Sequence, residues 1–159
     1  MALGIYNLVH ARSAEKVRLK VIPKATGFRG NGPDGRELYL NNEHRFDLKH
    51  PTAPPDRLSV EIVNLSKFAV TVDDVGFKQK WTRQRLALVT PIIPDGKDWP
   101  RKLEPRESAT VQFDTTKLVG LDSFGAVRCA YATSVCGTTC YGTSGALREF
   151  VRLVRKAAR

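Results

Sequence analysis

Cysteine is scarce in this chain: three stand among 159 residues, at Cys129, Cys136 and Cys140. A structural zinc site takes four ligands, usually as two close pairs. The histidines that could complete one lie far upstream, at His10, His44 and His50, so no metal site is expected. The same separation leaves a cysteine nucleophile without a nearby base. Nor does "CGTTC" match a CxxC redox pair at a strand–helix junction. Long apolar runs are missing as well: none approaches the ~18 residues that cross a bilayer, which excludes a complete transmembrane helix. The glycine-rich "GFRGNGPDG" lacks the Lys-Ser/Thr of a phosphate loop and opens no helix. Asp56, Asp73, Asp74, Asp95, Asp98, Asp114 and Asp122 lack the ligand spacing of a calcium loop, and stand mostly where Asp closes turns. These absences indicate no catalytic residue, no cofactor and no small-molecule substrate. The chain is expected not to be an enzyme; a thiol- or metal-dependent hydrolase is the reading they weaken most.

What is present is a body of ordinary composition, 42% hydrophobic and 26% charged, long enough for one domain with a substantial core. An odd cysteine count, without a recognisable secretory signal, places the chain in a reducing compartment, so a cytoplasmic location is expected. The net charge of +10 is unevenly spread. Arg12, Lys16, Arg18, Lys20 and Lys24 face a lone Glu15 at the start. Arg148, Arg152, Arg155, Lys156 and Arg159 face a lone Glu149 at the end. Basic ends on a nearly neutral body suit an anionic partner.

Apolar alternation organises the middle of the chain. "VRLKVI" sets Val17, Leu19 and Val21 against Arg18 and Lys20, a half-buried strand that Pro23 is expected to end. Residues 24–56 are dense in Gly, Pro, Asn and Asp and read as a long irregular loop, with short edge strands in "ELYL" and "HRFDLKH". From Leu58 onward the alternation is regular. Leu58, Val60 and Ile62 share a face, as do Phe68, Val70 and Val72, then Ala109, Val111 and Phe113, and then Val127, Cys129 and Tyr131. "RLALVT" adds a further strand before the breaker run "PIIPDGKDWP". Short strands at this spacing, with turns between them, predict an all-β antiparallel sandwich over residues 17–143. Trp81 and Trp99 read as residues of its core.

The run "LSVEIVNLSKFAVTVDDVGF", followed by "WPRKLEPRESATVQFD", is similar to a recurring pattern in bacterial immunoglobulin-like domains. There a strand ends in Asn, a short turn precedes a "VTV..VGF" strand, and an "L.P.ES" turn opens another. Asn64, Val70 to Val72, Val75 to Phe77, and Leu103, Pro105, Glu107 and Ser108 hold those positions. The likeness covers about residues 58–141. It implies an immunoglobulin-like sandwich and carries no catalytic residues.

At the two ends the period changes. "ALGIYNLVHA", within a segment 1–16, has apolar residues at helical spacing and predicts a short N-terminal helix. In residues 144–159, Leu147, Phe150, Val151, Val154 and Ala158 recur at helical spacing. Arg148, Arg152, Arg155, Lys156 and Arg159 follow one step round, which predicts an amphipathic helix capped by Thr143 or Ser144. Just before it, "YATSV" and "TCYG" read as a hairpin joined at Cys136-Gly137-Thr138-Thr139, with Gly137 at positive φ. Cys136 and Cys140 would then flank the loop, close enough for a disulfide if the surroundings were oxidising. Cys129 reads as a small buried apolar residue.

Three functions of different class follow. The first is a non-enzymatic interaction module whose basic ends, Arg12, Lys16, Arg18, Lys20, Arg148, Arg152, Arg155, Lys156 and Arg159, face an anionic membrane or a partner protein. The second is a structural component of a larger assembly, such as a phage or virion protein, with self-assembly through its loops and termini. The enzyme is third. Sequence-specific nucleic acid is not an expected partner, because neither basic end interleaves aromatic stacking residues with its Arg and Lys.

Overall fold

A computed structural model describes residues 16–35, 37–46, 57–80, 85–87 and 92–157. The expected N-terminal helix, Arg12, Trp81, Arg159 and the second half of "HRFDLKH" lie outside the described residues. Two antiparallel sheets and a C-terminal helix make up the fold. One sheet holds β1 (Leu19–Asn31), β2 (Glu37–Asn42), β3 (Arg57–Asn64) and β7 (Ser108–Phe113), in the order β2-β1-β3-β7. The other runs β5-β4-β8-β9, built from β4 (Val70–Gln79), β5 (Arg85–Ala87), β8 (Val127–Ser134) and β9 (Thr139–Gly142), with β6 (Arg101–Leu103) also paired to β4.

Both sheets feed one core. Leu58, Val60 and Ile62 of β3 are fully buried, as are Val111 of β7, Val72 and Phe77 of β4, Leu103 of β6, and Ala130 and Ala132 of β8. Gly142 marks how closely the sheets approach: a Cβ there would stand 1.7 Å from the Val21 carbonyl oxygen, so only glycine fits.

Within the region expected to be a long loop, the edge strand expected in "ELYL" forms as part of β2, and most of the other described residues are strand as well. β1 passes through Pro23 and continues to Asn31, then returns as β2 after a turn closed by Gly35 N–H on the Gly32 carbonyl at 2.9 Å. Pro23 is tolerated because β1 pairs only with β3 there; its contact with β2 starts at Ala25, so the missing N–H need serve only one neighbour. Phe68 lies before β4 and is 37% exposed, so only Val70 and Val72 of that expected face enter the core.

β8 is also corrected. Gln79 pairs with Val127 and Lys78 with Cys129, which leaves Arg128 as an extra residue in a bulge. The bulge flips the alternation: Val127, Ala130 and Ala132 enter the core, and Cys129 is half-buried rather than a core residue. Tyr131 is buried and donates to Asp74 at 3.0 Å. Burial and the Asp74 carboxylate push its hydroxyl well above the ordinary 10.0, so it stays a neutral donor. Between β7 and β8 the chain forms two elements with no apolar periodicity to announce them. They are the short helix α1 (Thr115–Val119), capped by Asp114, which accepts from Thr116 N at 3.0 Å, and the 3-10 turn η1 (Asp122–Ala126).

Candidate anion-binding groove beside the C-terminal helix

The C-terminal helix α2 (Gly145–Ala157) starts where expected. The Ser144 hydroxyl accepts from Leu147 N at 3.1 Å, satisfying one of the open donors of the first turn. Ala146, Leu147, Phe150, Val151 and Val154 are buried on one side. Phe150 stands between Phe46 and Phe124, with ring centroids 4.6 and 5.3 Å away, and Phe124 in turn meets Phe77 at 5.1 Å. The apolar stripe is thus consumed by the protein's own core. The one acid of the helix, Glu149, is engaged elsewhere, accepting from Phe46 N at 2.8 Å.

With the apolar stripe turned inward, the basic flank faces out along a groove. Arg148, Arg152 and Arg155 form one wall, a row of about 10 Å at 1.5 Å per helical residue. Lys80, at the end of β4, and Arg128, in the β8 bulge, form the other. Val127, Leu147 and Val151 supply the apolar floor of this open groove of about 580 Å³. Among the described residues no carboxylate lines it. Backbone contacts hold the walls in place. Arg148 Nε donates to the Ser144 carbonyl at 3.2 Å, Arg155 Nε donates to the Gly125 carbonyl, and Lys80 N donates to the Ala126 carbonyl at 2.8 Å. Gln79 Nε2, donating to Ser123 O at 3.0 Å, ties η1 to the same end of β4. Guanidinium groups positioned this way present fixed donors to carboxylate or phosphate oxygens.

Of the nine cations expected to meet an anionic surface, the groove gathers Arg148, Arg152 and Arg155. Lys156 is exposed and lies off its lining. Lys16, Arg18 and Lys20 are exposed at the far pole: the Arg18 carbonyl accepts from Leu65 N at 2.8 Å in the β3–β4 turn. β4 runs from that turn to the groove with ten residues, about 30 Å at strand rise. The described basic residues therefore form two separate sites. Lys80 and Arg128 were missed because their significance lies in placement: a strand end and a bulge, neither with a basic run around it.

The hairpin at Cys136 forms as expected, with Gly137 at φ 82° and Gly137 N–H on the Ser134 carbonyl at 2.7 Å. Its cysteines are free thiols. Cys136 is exposed on the turn, its Sγ 3.0 Å from Ser134 Oγ and 3.7 Å from Thr138 Oγ1; the Ser134 contact foremost lowers its pKa. Cys140 is half-buried and packs against the core, opposite Ala132. Burial pushes the Cys129 thiol up.

Comparisons with protein-family models, with curated proteins and with solved structures found no match to this chain. Among the described residues no group of three or more His, Cys, Asp or Glu is arranged to hold a metal ion, and no helix is long and apolar enough to cross a membrane.

Proposed function

We propose that this chain is a non-enzymatic interaction module, built on an immunoglobulin-like sandwich, that holds an acidic segment of a partner protein in the α2–β8 groove. One observation carries the reading: five cations from three elements surround an apolar floor that no described carboxylate shares. Two antiparallel sheets around one core support the architecture. Among acidic partners, a peptide suits the groove best. Its carboxylates meet the guanidinium forks of Arg148, Arg152 and Arg155 along one wall. A bilayer suits it poorly, because the stripe of α2 that would enter lipid is already buried. Single-stranded nucleic acid suits it poorly too, since no aromatic ring lines the groove among the described residues.

The test is fluorescence anisotropy with a labelled peptide of alternating Glu and Leu, titrated with the full chain at low and moderate salt. Binding should weaken as salt rises, because screening acts on exposed charges. R148E/R152E should weaken it at least about tenfold, equivalent to about 1.4 kcal/mol. Wild-type affinity in that variant, or a wild type that ignores the peptide and retains single-stranded DNA, overturns the assignment.

A further inference from the structure

The pole opposite the groove carries a second feature, independent of the first. Large apolar side chains stand exposed at the tips of its two turns: Leu65 at 53% and Phe68 at 37% in the β3–β4 turn, and Val135 at 64% in the β8–β9 turn. Hydrogen bonds from backbone and from one side chain join these turns into one surface. Leu65 N donates to the Arg18 carbonyl at 2.8 Å, Asn64 Nδ2 donates to the Phe68 carbonyl at 2.8 Å, and Val135 N donates to the Thr71 carbonyl at 3.0 Å. Exposed cations border them at Lys16, Lys20, Lys67 and Arg106. The two acids of the neighbouring turn are occupied, Glu104 by Lys102 at 2.9 Å and Glu107 by Arg101 at 3.3 Å.

We infer that this pole is a contact surface for an anionic lipid bilayer. Apolar side chains on protruding loop tips, ringed by cations, match the layered chemistry of a membrane interface: hydrocarbon beneath a plane of negative head groups. Leu65, Phe68 and Val135 enter the acyl boundary, while Lys16, Lys20, Lys67 and Arg106 stay at head-group level with their charge in water. A second copy of the chain is the weaker occupant, because it would bring these cations against their own kind.

The experiment is co-sedimentation of the full chain with vesicles of phosphatidylcholine alone or with 30% phosphatidylserine. Wild type should pellet with the anionic vesicles and stay in solution with the neutral ones. L65S/F68S/V135S and K20E/K67E should each weaken anionic-vesicle binding about tenfold or more, whereas R148E/R152E should leave it unchanged. A polarity-sensitive dye on Cys136, next to Val135, should shift to the blue on binding, a readout that needs no variant at the pole. Three results would each overturn the assignment: no pelleting with anionic vesicles, loss in R148E/R152E with retention in the pole variants, or pelleting without a dye shift. Light scattering that finds a dimer dispersed by L65S/F68S/V135S would overturn it as well, in favour of self-association. Because the groove variant and the pole variants are scored separately, failure here leaves the acidic-peptide reading standing.

Discussion

Asn64 illustrates what one side chain does for the pole it sits in. It is fully buried, donates to the carbonyls of Phe68 and Leu103 at 2.8 and 2.9 Å, and accepts from Ser66 N at 2.9 Å. One amide thereby joins β3, the turn after it and β6. Its place at a strand end before a turn was legible in the sequence pattern. Its burial was not, because the groups it satisfies are backbone atoms set by the fold. A buried polar group left without a partner costs about 1–3 kcal/mol. N64A should therefore lower stability by about 3 kcal/mol, read as a shift in the urea midpoint. N64D should rescue little, since a carboxylate cannot donate to two carbonyls. An unchanged midpoint in both would remove Asn64 from the framework.

At the scale of elements, α2 departs most from its sequence reading. Its helical period, its boundaries and its serine cap were all visible, because they depend on residues within four positions of one another. The periodicity gave an amphipathic helix with a basic flank but not what its apolar stripe would meet. The stripe is occupied by Phe46 from the segment after β2 and Phe124 from η1, contacts no local pattern encodes. F150A should cost about 3–5 kcal/mol, the range for removing a buried aromatic ring. It should abolish cooperative unfolding if the remaining stability is small. A variant within 1 kcal/mol of wild type would mean that α2 is peripheral after all. α1 and η1 escaped prediction because neither short element carries an apolar period. Their apolar anchors, Leu118 and Phe124, are single buried residues, and Phe124 meets Phe77 of β4 and Phe150 of α2 from far along the chain.

For the whole molecule, one core shared by both sheets and α2 predicts a single unfolding transition, with far-ultraviolet dichroism and tryptophan fluorescence changing together. Its pH dependence follows from three surface carboxylates held below their ordinary pKa values of 3.8 to 4.5. Arg101 lowers Asp95, the Glu104 amide and then Arg101 lower Glu107, and the Thr116 hydroxyl and amide lower Asp114. A depressed folded pKa stabilises above the unfolded value, and that contribution is lost as pH falls through the folded one. The urea midpoint should therefore be flat near neutrality and fall as pH drops below about 4.5. D95N/E107Q/D114N should flatten that decline. A decline of the same steepness in the variant would assign the acid sensitivity to other groups.

Charge also acts at this largest scale. The sequence shows two basic ends and leaves open whether they meet on one surface. None of Lys16, Arg18 and Lys20 lines the groove, where the fold instead sets Lys80 and Arg128 opposite the helix arginines. Of the expected site, the residue types and the helical row were legible; the groove was not.

The division has a physical basis. Short-range order came from the chain itself: alternation set the strands from Leu58 onward, Ser144 started α2, and Gly137 at positive φ closed the Cys136 hairpin. These depend on sterics and hydrogen bonds among neighbours. Tertiary structure decided the rest. It carried β1 past Pro23 by giving it a partner on one side only, bulged β8 at Arg128, buried the apolar stripe of α2 and sent the basic residues to two poles. Each of those outcomes depends on which distant segment arrives alongside, and no window of neighbouring residues contains that information.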